Sequence, residues 1–111
     1  MPVDRKAAAI AYRERKVVSG IFAVRCLTAG RRWVGQAPDL STIWNRMFFT
    51  LRHGTHPDRD LQSVWKLRNG DGFVFEEVER LDDEAATQQG RDRLLKARLT
   101  YWATQLDAKP I

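Results

Sequence analysis

The stretch Val17-Val18-Ser19-Gly20-Ile21-Phe22-Ala23-Val24-Arg25-Cys26-Leu27-Thr28-Ala29-Gly30-Arg31-Arg32-Trp33-Val34-Gly35 decides how the rest of the chain is read. Its first part, to Leu27, is rich in β-branched and aromatic residues (Val17, Val18, Ile21, Phe22, Val24), which predicts a strand. Thr28-Ala29-Gly30-Arg31 predicts a turn, because Gly30 can adopt backbone angles that other residues avoid. Arg32-Trp33-Val34-Gly35 then begins a second short strand, and the segment folds back on itself as a hairpin.

Downstream, Pro38-Asp39 or Ser41 starts a helix with Leu40, Ile43, Trp44, Met47 and Leu51 at helical spacing. That helix stops near His53-Gly54, where glycine suits the left-handed C-cap. Pro57-Asp58 opens another helix, which buries Leu61, Val64, Trp65 and Leu67. Asn69-Gly70-Asp71-Gly72 is a strong turn signal, and the third strand follows at residues 73–79. Phe73, Phe75 and Leu81 are expected on one face, with a slip or bulge needed to bury Val78. A last helix runs from about Asp83 to Leu106 and carries Leu94, Leu95, Leu99, Trp102 and Leu106. Upstream, Asp4 can cap a helix that ends near Lys16.

The order αββααβα predicts an α/β (α+β) fold: a small three-stranded, mainly antiparallel sheet flanked by helices. With 111 residues, the chain holds one domain and too little material for two cores. Its parts are the N-terminal helix (1–16), the hairpin, two helices and third strand (17–82), and the C-terminal helix (83–107). Charge interrupts the N-terminus every few residues, so it reads as neither a signal peptide nor a membrane span. The lone Cys26 can form no internal disulfide, and a reducing, cytoplasmic setting is expected.

The net charge of +5 is unevenly spread. Residues 1–68 hold 13 Lys/Arg against 5 Asp/Glu, and residues 69–111 hold 6 against 9. The first part is basic enough to attract polyanions, nucleic acid first among them. The run Glu76-Glu77-Val78-Glu79, followed by Asp82-Asp83-Glu84, reads as a solvated edge that repels such a ligand.

Gly20-Ile21-Phe22, followed ten residues on by Trp33-Val34-Gly35, resembles the paired tripeptides of the GIY-YIG nuclease superfamily. The polar stretch Gln36-Ala37-Pro38-Asp39-Leu40 and the order of later elements extend the resemblance over residues 18–106. Membership implies a metal-dependent phosphodiesterase fold, found in homing endonucleases, some restriction enzymes and the excinuclease C subunit. In that family a tyrosine from each tripeptide organises the attacking water. An arginine eight residues after the second glycine stabilises the phosphate, and a glutamate on the last helix binds a divalent ion, Mg²⁺ or Mn²⁺.

This chain departs from that pattern at each position. Phe22 and Trp33 stand at the tyrosine positions and carry no hydroxyl. Ile43 stands at the arginine position, and the nearest arginine, Arg46, lies one helical turn further on. Asp92, or alternatively Glu84, is the candidate metal ligand, and His56 falls where some members place a supporting histidine. Arg46 and His56 are therefore the candidate catalytic residues, and Phe22, Trp33, Gly35 and Asn45 the candidate substrate-binding ones.

Each has a plainer reading. Phe22 and Trp33 read first as core or semi-core aromatics of a hairpin, their other use being to stack on a base. Arg46 is either a phosphate clamp or a helix arginine paired with a nearby carboxylate. His53, His56, Asp58 and Asp60 form either a metal-binding or general-base cluster, or a polar loop between helices. Two functions stay open: an endonuclease acting on DNA (RNA second), and a nucleic-acid-binding module or protein adaptor that has kept the fold without the chemistry.

Overall fold

The computed structural model describes residues 17–81 and 88–111. The expected helix at 1–16, and Glu84, lie outside the described residues. Among those described, the order is β1 (Ser19–Cys26), β2 (Arg31–Ala37), α1 (Ile43–His53), α2 (Arg59–Arg68), β3 (Phe73–Leu81), α3 (Gln88–Leu106) and β4 (Lys109–Pro110). The sheet has four strands, in the order β3-β1-β2-β4. The three-stranded expectation is thus corrected. The added strand is two residues long and pairs parallel to β2, Trp33 with Lys109 and Val34 with Pro110. Proline has no N–H to give the ladder, and an outer strand is where the sheet tolerates it.

The hairpin forms as expected, with Phe22 opposite Gly35 and Val24 opposite Trp33. Strand alternation sends Phe22, Val24 and Trp33 to one face, where they meet Met47 and Leu51 of α1 and Leu61 of α2. Ile21 and Val34 point to the other face, against Leu95, Leu99 and Trp102 of α3. Side chains such as Trp33, Ile21 and Leu95, at 0–1% exposure, each contribute about 1.5–3 kcal/mol by leaving water.

The β1–β3 register shifts between Ile21 and Phe22, so that Ile21 faces Glu79 and Phe22 faces Glu77. That is the slip Val78 required. It also moves Leu81, which was expected beside Phe73 and Phe75. One skipped residue reverses the alternation, and Leu81 joins Val78 on the α3 face.

The helix ends follow their local chemistry. Asp58 caps α2 by accepting the Leu61 N–H at 2.9 Å. Asp39 instead holds the Ser41 N–H and hydroxyl at 2.9 and 2.7 Å, so α1 begins only at Ile43. Gly54 closes α1 with φ +72°. No described helix is long and apolar enough to cross a membrane.

Candidate functional site

On the α1–α2 side, Phe22 of β1, Ile43, Arg46, Met47 and Thr50 of α1, and His56, Pro57 and Asp58 of the following loop enclose a groove of about 380 Å³. Ile111 also lines it, anchored where its N–H donates to the Val34 carbonyl at 2.8 Å. The fold thus brings Arg46, His56 and Phe22 together.

Arg46 is exposed, and among the described residues no carboxylate pairs with it. Among the described residues, the pairing that the second of its readings requires is not seen. The one-turn displacement keeps the cation on the groove wall, since Ile43 and Arg46 both line it.

His56 is held from both sides. Its backbone N–H donates to Gln62 Oε1 at 3.0 Å, and Gln62 Nε2 donates to the Leu51 carbonyl at 3.0 Å. Gln62 therefore ties the end of α1 to the loop carrying His56, a role sequence spacing gave no sign of. The Asp58 N–H donates to His56 Nδ1 at 3.0 Å, which leaves the proton of the neutral ring on Nε2. Burial holds its pKa below the ordinary value, the Asp58 contacts only partly offsetting this. The neutral ring can donate from Nε2 but has no lone pair left with which to take a proton from water. A general-base role for His56 would require the Nδ1 lone pair that the Asp58 N–H occupies.

Burial pushes the Asp58 carboxyl up, but the Leu61 N–H and the Lys109 ammonium at 3.3 Å pull it below its ordinary value. Asp60 accepts the Trp33 indole N–H at 3.1 Å and pairs with Arg31. Asp58 at the cap and Asp60 in the first turn therefore fasten α2 to β4 and β2.

Phe22 is 3% and Trp33 0% exposed. Both lie on the same face of the sheet, but Trp33 is wholly inside the core and offers no ring face to a base. Gly35 serves packing: a Cβ there would stand 2.4 Å from Phe22 Cζ. Asn45 is exposed on α1 and does not line the groove.

Asp92 is exposed near the start of α3, the helix on the opposite face, and is not part of the groove. A divalent ion needs several hard donors converging. Among the described residues no group of three His, Cys, Asp or Glu could hold one. In the groove, Asp58 is already engaged and His56 Nδ1 is occupied, so the described donor set does not fit a metal.

The acidic run of β3 is not simply solvated. Arg25 meets Glu76 at 3.2 Å and Arg80 meets Glu77 at 3.0 Å. Glu79, turned inward by the register shift, accepts from Arg98 Nε at 2.7 Å and Trp102 Nε1 at 2.8 Å. It pins α3 to the sheet.

No protein-family model matches the chain, and no curated protein matches it in sequence. Solved structures do. A point mutant of the catalytic domain of the intron endonuclease I-TevI superposes with a TM-score of 0.66 at 26% identity, over 81% of this chain and 84% of that one. The catalytic domain of the homing endonuclease I-TevI gives 0.65 at 24%, over 84% and 97%. With the paired tripeptides on adjacent strands and this likeness behind them, the chain has the GIY-YIG-like fold of a nuclease catalytic domain.

Proposed function

We propose that this chain binds the phosphate backbone of nucleic acid in the Arg46–His56 groove and does not run the superfamily's usual hydrolysis. The observation that carries this is the Arg46 guanidinium, unpaired among the described residues, in one groove with a histidine fixed as an Nε2–H donor. Both groups can donate to phosphate oxygens, and neither can activate water. The hydroxyl-free Phe22 and Trp33 supply no proton relay. Loss of a positioned acid–base group typically costs two to four orders of magnitude in rate, on the order of 10²–10⁴.

A second reading has one observation in its favour: a cation and a histidine share a groove where the superfamily places its chemistry. In it the chain is an endonuclease acting on DNA with Mg²⁺ or Mn²⁺.

Titration of DNA and RNA binding against salt, with a parallel Mn²⁺ cleavage assay, separates them. Binding through phosphates must weaken steeply with salt, and Arg46→Ala should lower the slope of log K against log salt by about 0.7–0.9. A flat salt response rejects the binding reading and leaves a protein adaptor. Cleavage that disappears in Arg46→Ala establishes the nuclease.

A further inference from the structure

Several cations of the sheet strands are committed. Arg31 pairs with Asp60, Lys109 with Asp58, and Arg25 with Glu76. Arg32 donates to the Leu106 carbonyl at 3.0 Å. Arg46 and Arg52 of α1 have no such partner among the described residues, and α1 contains no acidic residue. Between them stands Phe49, 62% exposed.

A single exposed phenylalanine needs no explanation. This one is already stacked on a second ring: His53 lies 4.2 Å away, centroid to centroid, with 28° between the planes. The His53 ring is itself held, its Nδ1 at 2.8 Å from the Phe49 carbonyl oxygen, which requires Nδ1 to donate. Arg46, Phe49 and His53 are spaced i, i+3, i+7, which puts them in one stripe along the helix. Because Arg46 also lines the groove, stripe and groove share an edge.

We propose that the Phe49–His53 stack is a platform for an unpaired base, so that the ligand of this chain is single-stranded nucleic acid. The backbone lies along Arg46 and Arg52 while a base stacks on Phe49. The inference rests on the groove being a phosphate site, as proposed above. A duplex keeps its bases stacked within itself and has no free face to present, whereas a single strand has one at every nucleotide. The positive stripe excludes an acidic helix face of its own and suits the charge of such a strand.

The test uses fluorescence anisotropy of the full chain with a short labelled oligothymidylate, its abasic counterpart, and a duplex of equal length. The intact chain should bind the oligothymidylate tightest. Phe49→Ala should lower that affinity by about tenfold while leaving the abasic strand unchanged, and Phe49→Trp should preserve it. Arg46→Ala should weaken all three ligands. If Phe49→Ala leaves oligothymidylate binding intact while Arg46→Ala weakens everything, the platform is wrong and the phosphate groove stands. If none of the ligands binds at low salt, both fail. Should Phe49→Ala lose its cooperative thermal transition, the Phe49→Trp comparison between thymidylate and abasic strands decides the matter. Equal affinity of the tryptophan variant for the two would overturn the platform.

Discussion

The Phe22 ring lies over the backbone of Gly35, its partner across the hairpin, so closely that a Cβ on Gly35 would stand 2.4 Å from Phe22 Cζ and 3.2 Å from Ile111 Cγ1. The glycine of the second tripeptide is thus a seat for the aromatic residue of the first. From that seat Phe22, itself a buried core residue, also lines the groove.

Gly35→Ala must therefore displace Phe22, Ile111 or the strands themselves. Overpacking of this kind costs about 1–3 kcal/mol. The expected result is a lower thermal midpoint, partly restored when Phe22→Leu is added, because the two sites share one space. Equal melting of parent and Gly35→Ala would show that the contact relaxes freely.

Glu79 should matter more than an acidic strand residue ordinarily does. Burial pushes its carboxyl up, but the hydrogen bonds from Arg98 and Trp102 and the Arg98 charge together hold it below its ordinary value. A depressed carboxylate adds stability above its unfolded pKa, near 4.5, and loses it as pH falls through the folded value. Glu79→Gln should cost about 1–2 kcal/mol in urea denaturation at neutral pH, a figure moderated because both charged partners are partly in water. The gap between variant and parent should narrow as pH falls below about 4.5. A constant gap across that range would mean the charge on Glu79 is irrelevant.

These two contacts show what could and could not be read from residues alone. The hairpin was legible because β-branched alternation, a glycine turn and a second apolar run all agree. Val78 announced the slip in β3, but nothing local said that Leu81 would change faces with it. Leu67 was expected inside α2 and is 79% exposed. Six residues on from Leu61, it lies about 240° round the helix, away from the buried stripe. β4 left no trace, since Lys109-Pro110 is too short to alternate and its pairing is wholly tertiary. In the site, helical spacing was enough to suggest Arg46. That His56 is locked by the Asp58 N–H, and that Asp60 spends itself on Trp33 and Arg31, depends on a loop conformation that no spacing encodes.

His56 should titrate below 6.5, because burial disfavours the imidazolium. A histidine with a lowered pKa makes the fold more stable as pH rises, across the interval from its folded value up to about 6.5. Above that interval both states are neutral and the effect is constant. His56→Asn offers Oδ1 to the Asp58 N–H and removes the titration, so its stability should lose that pH step. A His56 midpoint above 6.5 by proton NMR would mean that burial does not disfavour the imidazolium in solution.

Gln62 gives the sharpest test of how the groove is held. Its amide oxygen accepts from the His56 N–H and its amide nitrogen donates to the Leu51 carbonyl, each at 3.0 Å. Gln62→Glu keeps the acceptor and loses the donor, leaving the Leu51 carbonyl unmatched beside a carboxylate. That should cost about 1–3 kcal/mol. The added negative charge also favours the imidazolium, so the His56 midpoint should move upward. Gln62→Met removes both hydrogen bonds without adding charge. It should destabilise to a similar degree with no such upward shift, while loosening the loop enough to weaken nucleic-acid binding. If His56 titrates identically in the parent and in Gln62→Glu, the two side chains are not neighbours in solution, and the bridge that orders the groove does not exist.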